Sequence, residues 1–177
     1  MLFNPDWPAY NIIEAAADRI QTFIHRTPVL TSRTLNRMFQ SELHFKCENF
    51  QKAGAFKIRG ATNAILALNI DQAEKGVATH SSGNHAQAVA MAARIRKIPA
   101  YIVMPRNSPD VKKKAVQEYG AHITECEPTL EAREKILDTI CEETGATFIP
   151  PYNDYRIIGG QATVAMELHQ DVHDLDY

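Results

Sequence analysis

The sequence has few cysteines, no long apolar run and little net charge. Its three cysteines are far apart and form no C-x-x-C pair, which argues against a zinc knuckle or a disulfide framework. No segment approaches the ~20 consecutive apolar residues of a membrane span, and the N-terminus lacks a basic stretch followed by an apolar run. The 19 basic and 21 acidic residues give a formal charge of -2, and no basic run is longer than Lys112–Lys114, so nothing predicts a nucleic-acid surface. We therefore expect a cytoplasmic protein that contacts neither membranes nor nucleic acids.

The 177 residues, 45% of them hydrophobic, are enough for one ordinary globular domain or two small ones. In the middle of the chain, short β-branched runs alternate with helical patterns, which is typical of βαβ units on a parallel sheet. The predicted class is α/β, an open parallel sheet with flanking helices. The predicted strands are 76–80, 100–104, 121–125 and 147–149, and the predicted helices between them are 84–96, 110–119 and 128–143.

The flanking regions carry further helical and extended patterns. Helical spacing of apolar residues predicts helices over 10–24 and 59–68, and a turn-rich loop at 150–158 precedes a helix that opens near Gly159. Residues 41–50 alternate as a half-buried strand would. That alternation places Leu43, Phe45 and Cys47 on the buried side and the polar residues His44, Lys46 and Glu48 on the other.

The letters SSGNH at 81–85 lie between a predicted strand and a predicted helix. In open α/β sheets, ligands bind beyond the carboxyl ends of the strands, where helix N-termini offer unpaired N–H groups to an anion. Serine and asparagine are also preferred N-cap residues, so the same letters would begin a helix that binds nothing. The pattern alone leaves both interpretations open and favours the cap.

A second local signal is Lys57, which lies between Phe56 and Ile58 at the start of a predicted helix. An amine placed between apolar side chains either extends to water or serves a site that needs it. Taken alone, extension to water is the simpler interpretation. The run Lys112–Lys114 is likewise interpreted as the solvated face of a helix.

Together these segments resemble a known family, the fold-type II pyridoxal-phosphate enzymes, and within it the serine racemase and serine/threonine dehydratase group. Four blocks match in the family's order and cover most of the chain. They are ENFQKAGAFKIRGATNAI at 48–65, SSGNHAQAVAMAA at 81–93, IPAYIVMPRNSPDVKKKAVQEYGAHI at 98–123 and PYNDYRIIGGQATVAMEL at 151–168. The resemblance implies the fold of the tryptophan synthase β-subunit and pyridoxal 5'-phosphate as the cofactor.

The resemblance also implies a role for each candidate residue. Lys57 would form the Schiff base with the cofactor aldehyde and later remove the α-proton of an amino-acid substrate. Ser82 would be the second catalytic residue, because it matches the serine that exchanges a proton on the opposite face in racemases of this group. The cofactor would also contact Phe56, Asn84 and Asn153. The substrate carboxylate would be held by Ser81, Ser82, Gly83, Asn84 and His85, and no metal ligand is assigned.

The activity implied is that of a pyridoxal-phosphate enzyme that dehydrates L-serine or L-threonine to the 2-keto acid and ammonia, or that racemises serine. Ser82 is compatible with both reactions. The alternative is a non-catalytic fragment that binds a small anion or associates with another chain.

Family members are considerably longer than this chain, so the resemblance implies that it is the N-terminal part of the catalyst. Residues 1–75 and 149–177 would belong to a large cofactor-binding domain, and 76–148 would form a small α/β domain. The glycine-rich loop that cradles the cofactor phosphate would lie in the absent half, and the best substitute within this sequence is only Gly159-Gly160. The expected partner is a second copy of the chain or the missing C-terminal half.

Overall fold

A computed structural model describes residues 9–176, and within that range the chain forms eight α-helices and six β-strands. The helices are α1 (Tyr10–Ile20), α2 (Arg33–Phe39), α3 (Lys57–Leu66), α4 (Ile70–Lys75), α5 (Asn84–Arg96), α6 (Asp110–Glu118), α7 (Leu130–Thr144) and α8 (Tyr155–Asp171). The strands are β1 (Val29–Thr31), β2 (His44–Lys46), β3 (Val77–His80), β4 (Ala100–Pro105), β5 (His122–Cys126) and β6 (Thr147–Phe148).

A four-stranded parallel sheet of order β5-β4-β3-β6 organises the middle of the chain. Successive residues of β3 and β4 point to opposite faces, so that Val77 and Ile102 pack with α5 while Ala78 and Val103 pack with α7. The α/β class and the parallel sheet are therefore as predicted. Gly145 ends α7 with φ 71°, in the left-handed conformation expected of a C-terminal glycine.

The flanking segments pack on this unit through α3. The buried residues Ile58, Ala61 and Ile65 of α3 share one apolar core with α5 and with Ile157 of α8. The remaining strands, β1 and β2, form a separate antiparallel pair in which Leu30 lies opposite Phe45. Both of these side chains are exposed, at 50% and 41%.

The strand predicted over 41–50 is shorter than expected, and the burial of several of its side chains differs from the prediction. Only 44–46 is extended in register with β1, and Phe45 is exposed, whereas the side chain of Lys46 is 4% exposed. The physical reason is that Lys46 and Glu48 are paired with buried charges of α3 and α8. Cys47 is buried, as its place on the apolar side predicts, so the charged side chains are buried in addition to this cysteine and not in its place.

Helix α8 begins at Tyr155 and not near Gly159, because the Asp154 carboxylate accepts a hydrogen bond from the Arg156 N–H at 2.8 Å and caps the helix. Gly159 and Gly160 consequently lie inside a helix. A Cβ at Gly160 would come within 2.6 Å of the Gly60 Cα, so this glycine permits close contact between α8 and α3. The glycine pair serves helix packing and does not form a phosphate-binding loop.

The prediction of helices outside the sheet is corrected in two respects. Helix α1 ends at Ile20, four residues before the predicted end. The short helices α2 and α4 were not predicted, although α4 begins with a capping box in which Asn69 and Gln72 bond each other's backbone N–H groups. The three cysteines are free, and no helix within 9–176 combines the length and the apolar character needed to cross a membrane.

Candidate functional site

Three segments that are distant in sequence meet around Lys57. They are the start of α3, the loop 81–85 that leads from β3 into α5, and the segment 149–153 between β6 and α8. The contacts to the backbone of the third segment come from Lys57 and from His85. The loop 81–85 follows the carboxyl end of β3, which is where parallel α/β sheets bind ligands.

Lys57 is the first residue of α3 and is half-buried. Its Nζ donates a hydrogen bond to the Pro151 carbonyl at 2.9 Å and lies 5.3 Å from the centre of the Phe56 ring. Phe56 itself is 42% exposed. The amine is therefore committed to one neutral acceptor, and the alternative in which it simply extends to water does not describe its position.

His85 is buried, and its imidazole is directed at the backbone of the neighbouring segment. Its Nε2 lies 3.0 Å from the Ile149 carbonyl, so Nε2 carries the proton and donates it. Burial lowers the pKa of His85 to about 4; the hydrogen bond to Ile149 opposes that shift, and the positive charges of Lys57 and His80 add to it. The side chain is neutral at pH 7, and only the backbone of His85 remains for an anion at the start of α5.

The other loop residues predicted for the site stay accessible. Ser82 and Asn84 are exposed, and Ser81 and Gly83 are half-buried. The Ser81 hydroxyl accepts a hydrogen bond from the Gly83 N–H at 3.3 Å, and no side chain caps α5. The prediction that this asparagine or these serines merely cap the helix therefore loses its support, because the cap position is occupied by Gly83.

Lys112 on α6 was interpreted from sequence as part of a solvated face, yet it points at the loop. Its Nζ lies 3.5 Å from the position that a Cβ on Gly83 would take. The adjacent Lys113 is instead paired with Glu125 at 2.6 Å. The only sequence signal for this difference is the one-residue offset, which rotates the two side chains about the helix axis.

Asn153 is exposed and has a positive φ of 55°, in the turn that leads into Asp154 and α8. This places it two residues after the carbonyl that accepts from Lys57. Their hydrogen bonds bring Lys57 and His85 to one segment, and among residues 9–176 no hydrogen bond joins Lys57 to Ser82, Asn84 or Asn153. The roles of those three residues stay predictions.

His80 ends β3 on the opposite face of the sheet from α5. Its ring stacks on Phe148 with centroids 5.9 Å apart, and it borders a cleft of about 370 Å³ against α7. Burial lowers the pKa of His80, and the charge of Arg133 acts in the same direction. A Ser–His pair built from this histidine is not supported, since its ring lies on the α7 side.

The arrangement favours an anionic ligand. Two amines, Lys57 and Lys112, and the N-terminus of the 13-residue helix α5 face the loop and the segment 149–153. Among residues 9–176, neither amine forms an ion pair with a carboxylate. Positive charge without carboxylate partners is the property that a phosphate or carboxylate group requires.

Comparison with known proteins shows which protein family this chain is similar to. The family model described as "Pyridoxal-phosphate dependent enzyme" matches residues 20–177. A β-hydroxyaspartate dehydratase of Paracoccus denitrificans is 53% identical over 169 residues, which is 96% of this chain and 54% of that protein. A serine racemase of Arabidopsis thaliana is 52% identical over 93% of this chain and 50% of its own length.

A solved structure agrees with these sequence relatives. The structure of maize serine racemase superimposes with a TM-score of 0.92 at 51% identity, covering 94% of this chain and 50% of the maize chain. The chain thus spans about half the length of the relatives it matches.

Proposed function

This chain belongs to the family of pyridoxal-phosphate dependent enzymes, and from that membership we propose that it is the N-terminal part of a catalyst acting on a small hydroxy amino acid. The reaction is dehydration of L-serine or L-threonine to the 2-keto acid and ammonia, racemisation of serine, or both. The observation that carries the proposal is the convergence of Lys57 and His85 on the segment 149–153.

The residues present fit the cofactor of the family. Lys57 is half-buried, and within 9–176 its amine bonds the Pro151 carbonyl and pairs with no carboxylate. Phe56 offers an exposed ring face beside that amine. Asn84 and Asn153 are exposed amides, one in the loop 81–85 and one in the segment 149–153. These four residues would hold the cofactor, which when bound supplies an aldehyde for Lys57 and a ring that accepts electrons from the substrate α-carbon.

The chain's own residues then divide the remaining work. The Nζ of Lys57 accepts the α-proton, and the Ser82 hydroxyl holds or returns a proton on the other face. The backbone N–H groups at the start of α5, with Ser81, Gly83 and His85, bind the substrate carboxylate. Because the His85 imidazole is neutral and buried, it takes no part in proton transfer at pH 7.

The division into domains follows the same proposal. The four parallel strands fall within 77–148, in keeping with a small domain over 76–148, while 1–75 and 149–177 would contribute to a larger one. The larger domain would be completed by a polypeptide that carries the remaining half, or by a second copy of this chain. The exposed pair Leu30 and Phe45 on β1 and β2 supports such a partner.

Cofactor attachment tests the proposal directly. The chain is incubated with pyridoxal 5'-phosphate, reduced with borohydride, digested and mapped by mass spectrometry. We expect one major adduct, on Lys57, that is lost in Lys57→Ala and retained in the matched variant Lys114→Ala. Adducts spread over exposed lysines, at the same yield in Lys57→Ala, would contradict the proposal.

The choice of reaction is tested with Ser82→Ala. Where the chain, alone or with its complementary half, forms pyruvate and D-serine from L-serine, Ser82→Ala is expected to lose D-serine formation and keep pyruvate formation. Loss of both activities to the same extent would assign Ser82 to substrate binding only.

A second candidate function is association without catalysis, and the exposed Leu30–Phe45 pair is the observation that favours it. Light scattering of the chain, compared with the Phe45→Ser variant, separates the candidates. Self-association that Phe45→Ser abolishes, together with no cofactor attachment at Lys57, would favour the association module.

A further inference from the structure

A cluster of buried charges lies beneath the start of α3. We call it the charged cluster and define it as Lys46, Glu48, Arg59 and Glu167; Asp171 and Arg26 extend it to the surface. The Arg59 side chain is fully buried, and those of Lys46, Glu48 and Glu167 are 4%, 12% and 10% exposed. The cluster contains two positive and two negative charges. Arg26 and Asp171 add one charge of each sign, so the net charge stays zero.

Arg59 is the centre of this cluster and each of its N–H groups has an acceptor. Its Nε and Nη2 donate to the two carboxylate oxygens of Glu48, both at 2.8 Å. Its Nη1 and Nη2 donate to the two oxygens of Glu167, at 2.7 and 2.9 Å. Thr163 and the His25 carbonyl accept the remaining bonds, at 3.1 and 3.4 Å. Two carboxylates thus grip the guanidinium plane along two of its edges, which fixes both its position and its orientation.

The electrostatics of the cluster keep it charged. Burial opposes the charge on Arg59, but the hydrogen bonds that it donates to Glu48 and Glu167 outweigh burial and raise the pKa of the guanidinium above its usual range. Burial would also raise the pKa of Glu167, yet its bonds with Arg59 and Lys46 outweigh this and lower it. Lys46 is saturated as well, since its amine donates to Glu167, Asp171 and the Thr27 carbonyl at 2.8, 3.0 and 2.8 Å.

The charged cluster lies at the first turn of α3, which has no side-chain cap to stabilise it. Lys57 and Arg59 belong to the same first turn of α3, and no side chain caps that turn. The preceding segment includes Ala53 and Gly54, both with positive φ, at 58° and 68°. A helix start that follows an irregular segment without a cap is held by its side-chain contacts, and the contacts of Arg59 reach the segment after β2 and α8.

We propose that Arg59 is a positioning residue for Lys57: its two carboxylate contacts set the first turn of α3 so that the Lys57 amine meets the Pro151 carbonyl. The proposal rests on the function proposed for Lys57. Stability alone gives a weak reason for such a cluster, because buried ion pairs are often replaced by apolar residues without loss of stability. A guanidinium that is bonded along two edges instead has a fixed orientation. Because Arg59 lies in the first turn of α3, this fixes the orientation of the turn that carries Lys57.

The test measures the placing of the Lys57 amine without any cofactor. Native protein is acetylated briefly with acetic anhydride, and mass spectrometry gives the acetylation rate of Lys57 relative to the exposed Lys114. In Arg59→Met we expect this ratio to rise about fivefold, the factor corresponding to the loss of one ordinary hydrogen bond to Pro151. In Arg59→Lys, which keeps the charge but cannot bond two carboxylates along two edges, the ratio also rises, and by less.

Arg96 provides the matched control because it serves the opposite end of the same helix. Its guanidinium donates to the carbonyls of Ile65 and Leu68, the latter at 2.7 Å, where α3 ends. Arg96→Met therefore weakens α3 without touching its first turn, and the Lys57 ratio is expected to stay at the wild-type value. Circular dichroism confirms that each variant compared is folded.

The outcomes separate this proposal from the function it rests on. An unchanged Lys57 ratio in the folded Arg59 variants, or an equal rise in Arg96→Met, overturns the positioning role. Failure of both Arg59 variants to fold also overturns it, since Arg59 would then be required for the fold itself. A wild-type chain that never attaches pyridoxal phosphate would refute the proposed function. Because acetylation needs no cofactor, the acetylation ratios would still decide whether Arg59 positions Lys57. Where attachment does occur, its rate at Lys57 falls in the Arg59 variants and not in Arg96→Met.

Discussion

Replacing Gly160 by alanine tests the closest contact between α3 and α8. A Cβ at position 160 would lie 2.6 Å from the Gly60 Cα, 2.7 Å from the Arg59 carbonyl oxygen and 2.8 Å from the Asn63 Cβ. None of these atoms belongs to the far end of a flexible side chain. The adjacent Gly159 is different, because its Cβ would meet first the side chain of Ile12, at 3.0 Å.

The expected magnitudes follow from those contacts. Carbon atoms in contact lie about 3.5–4.0 Å apart, so α8 would have to move away from α3 by about 1 Å. Such overpacking costs up to about 3 kcal/mol, whereas the change from glycine to alanine inside a helix returns about 1 kcal/mol. We therefore expect Gly160→Ala to lower the free energy of unfolding by about 2 kcal/mol. For Gly159→Ala the two effects nearly cancel, because Ile12 can adjust its rotamer.

Urea unfolding followed by circular dichroism measures both variants under the same conditions. The Gly160→Ala variant should also raise the acetylation of Lys57, since separating α8 from α3 loosens the bonds between Arg59 and Glu167. Equal stabilities of the two variants would contradict this expectation, because the two sites differ in whether rigid atoms or a movable side chain lie next to the added Cβ.

Three further predictions concern single side chains. His85 protonates in the unfolded chain near its ordinary value of 6.5 but in the folded chain only at about 4, so stability falls as pH falls through this window. Between pH 7 and about pH 5 the loss is about 2 kcal/mol by urea unfolding, and the NMR signal assigned to His85 should not titrate in that range. Titration of that assigned signal near pH 6.5 would contradict this. Lys46→Met leaves one negative charge of the charged cluster uncompensated, although Glu167 keeps Arg59 and Asp171 keeps Arg26, and should cost about 3 kcal/mol in guanidinium unfolding. A cost near zero would show that the cluster rearranges. Arg106→Ala removes an ion pair whose arginine is 66% exposed and should change the unfolding free energy by less than about 0.5 kcal/mol, in contrast to Lys46→Met.

The sequence was sufficient to predict the parallel sheet and its long helices. Helix α5 spans 84–96 as predicted, and the strands at 77–80, 100–105, 122–126 and 147–148 lie within a residue or so of their expected bounds. These elements alternate strictly and bury one face or both, which makes their periodicity strong. The short helices α2 and α4 have no such pattern, because a helix of six or seven residues shows less than two turns of spacing.

The sequence was sufficient to identify residues of the candidate site but not the orientation of their side chains. Lys57 and the loop 81–85 were identified through motif spacing and family resemblance, and the structure brings Lys57 and His85 to one segment. Motif spacing could not say that the His85 ring is buried and neutral, or that Lys112 rather than Lys113 points at Gly83. Both facts depend on which side of a helix faces a neighbour, which is decided by packing between distant segments.

The same dependence explains why the charged cluster was missed and why it bears on the site. Alternation in 41–50 predicts that its charged side chains face water, since charged residues are rarely buried unless they are paired. The partners of Lys46 and Glu48 are Glu167 and Arg59, which are far away in the sequence, so the exception could not be recognised from local pattern. Because one of those partners lies in the turn that carries Lys57, the residues that the pattern assigned to water are the ones that join β2, α3 and α8 beneath the site. We therefore expect a substitution that neutralises a member of this cluster to displace the Lys57 amine more than it displaces the loop 81–85.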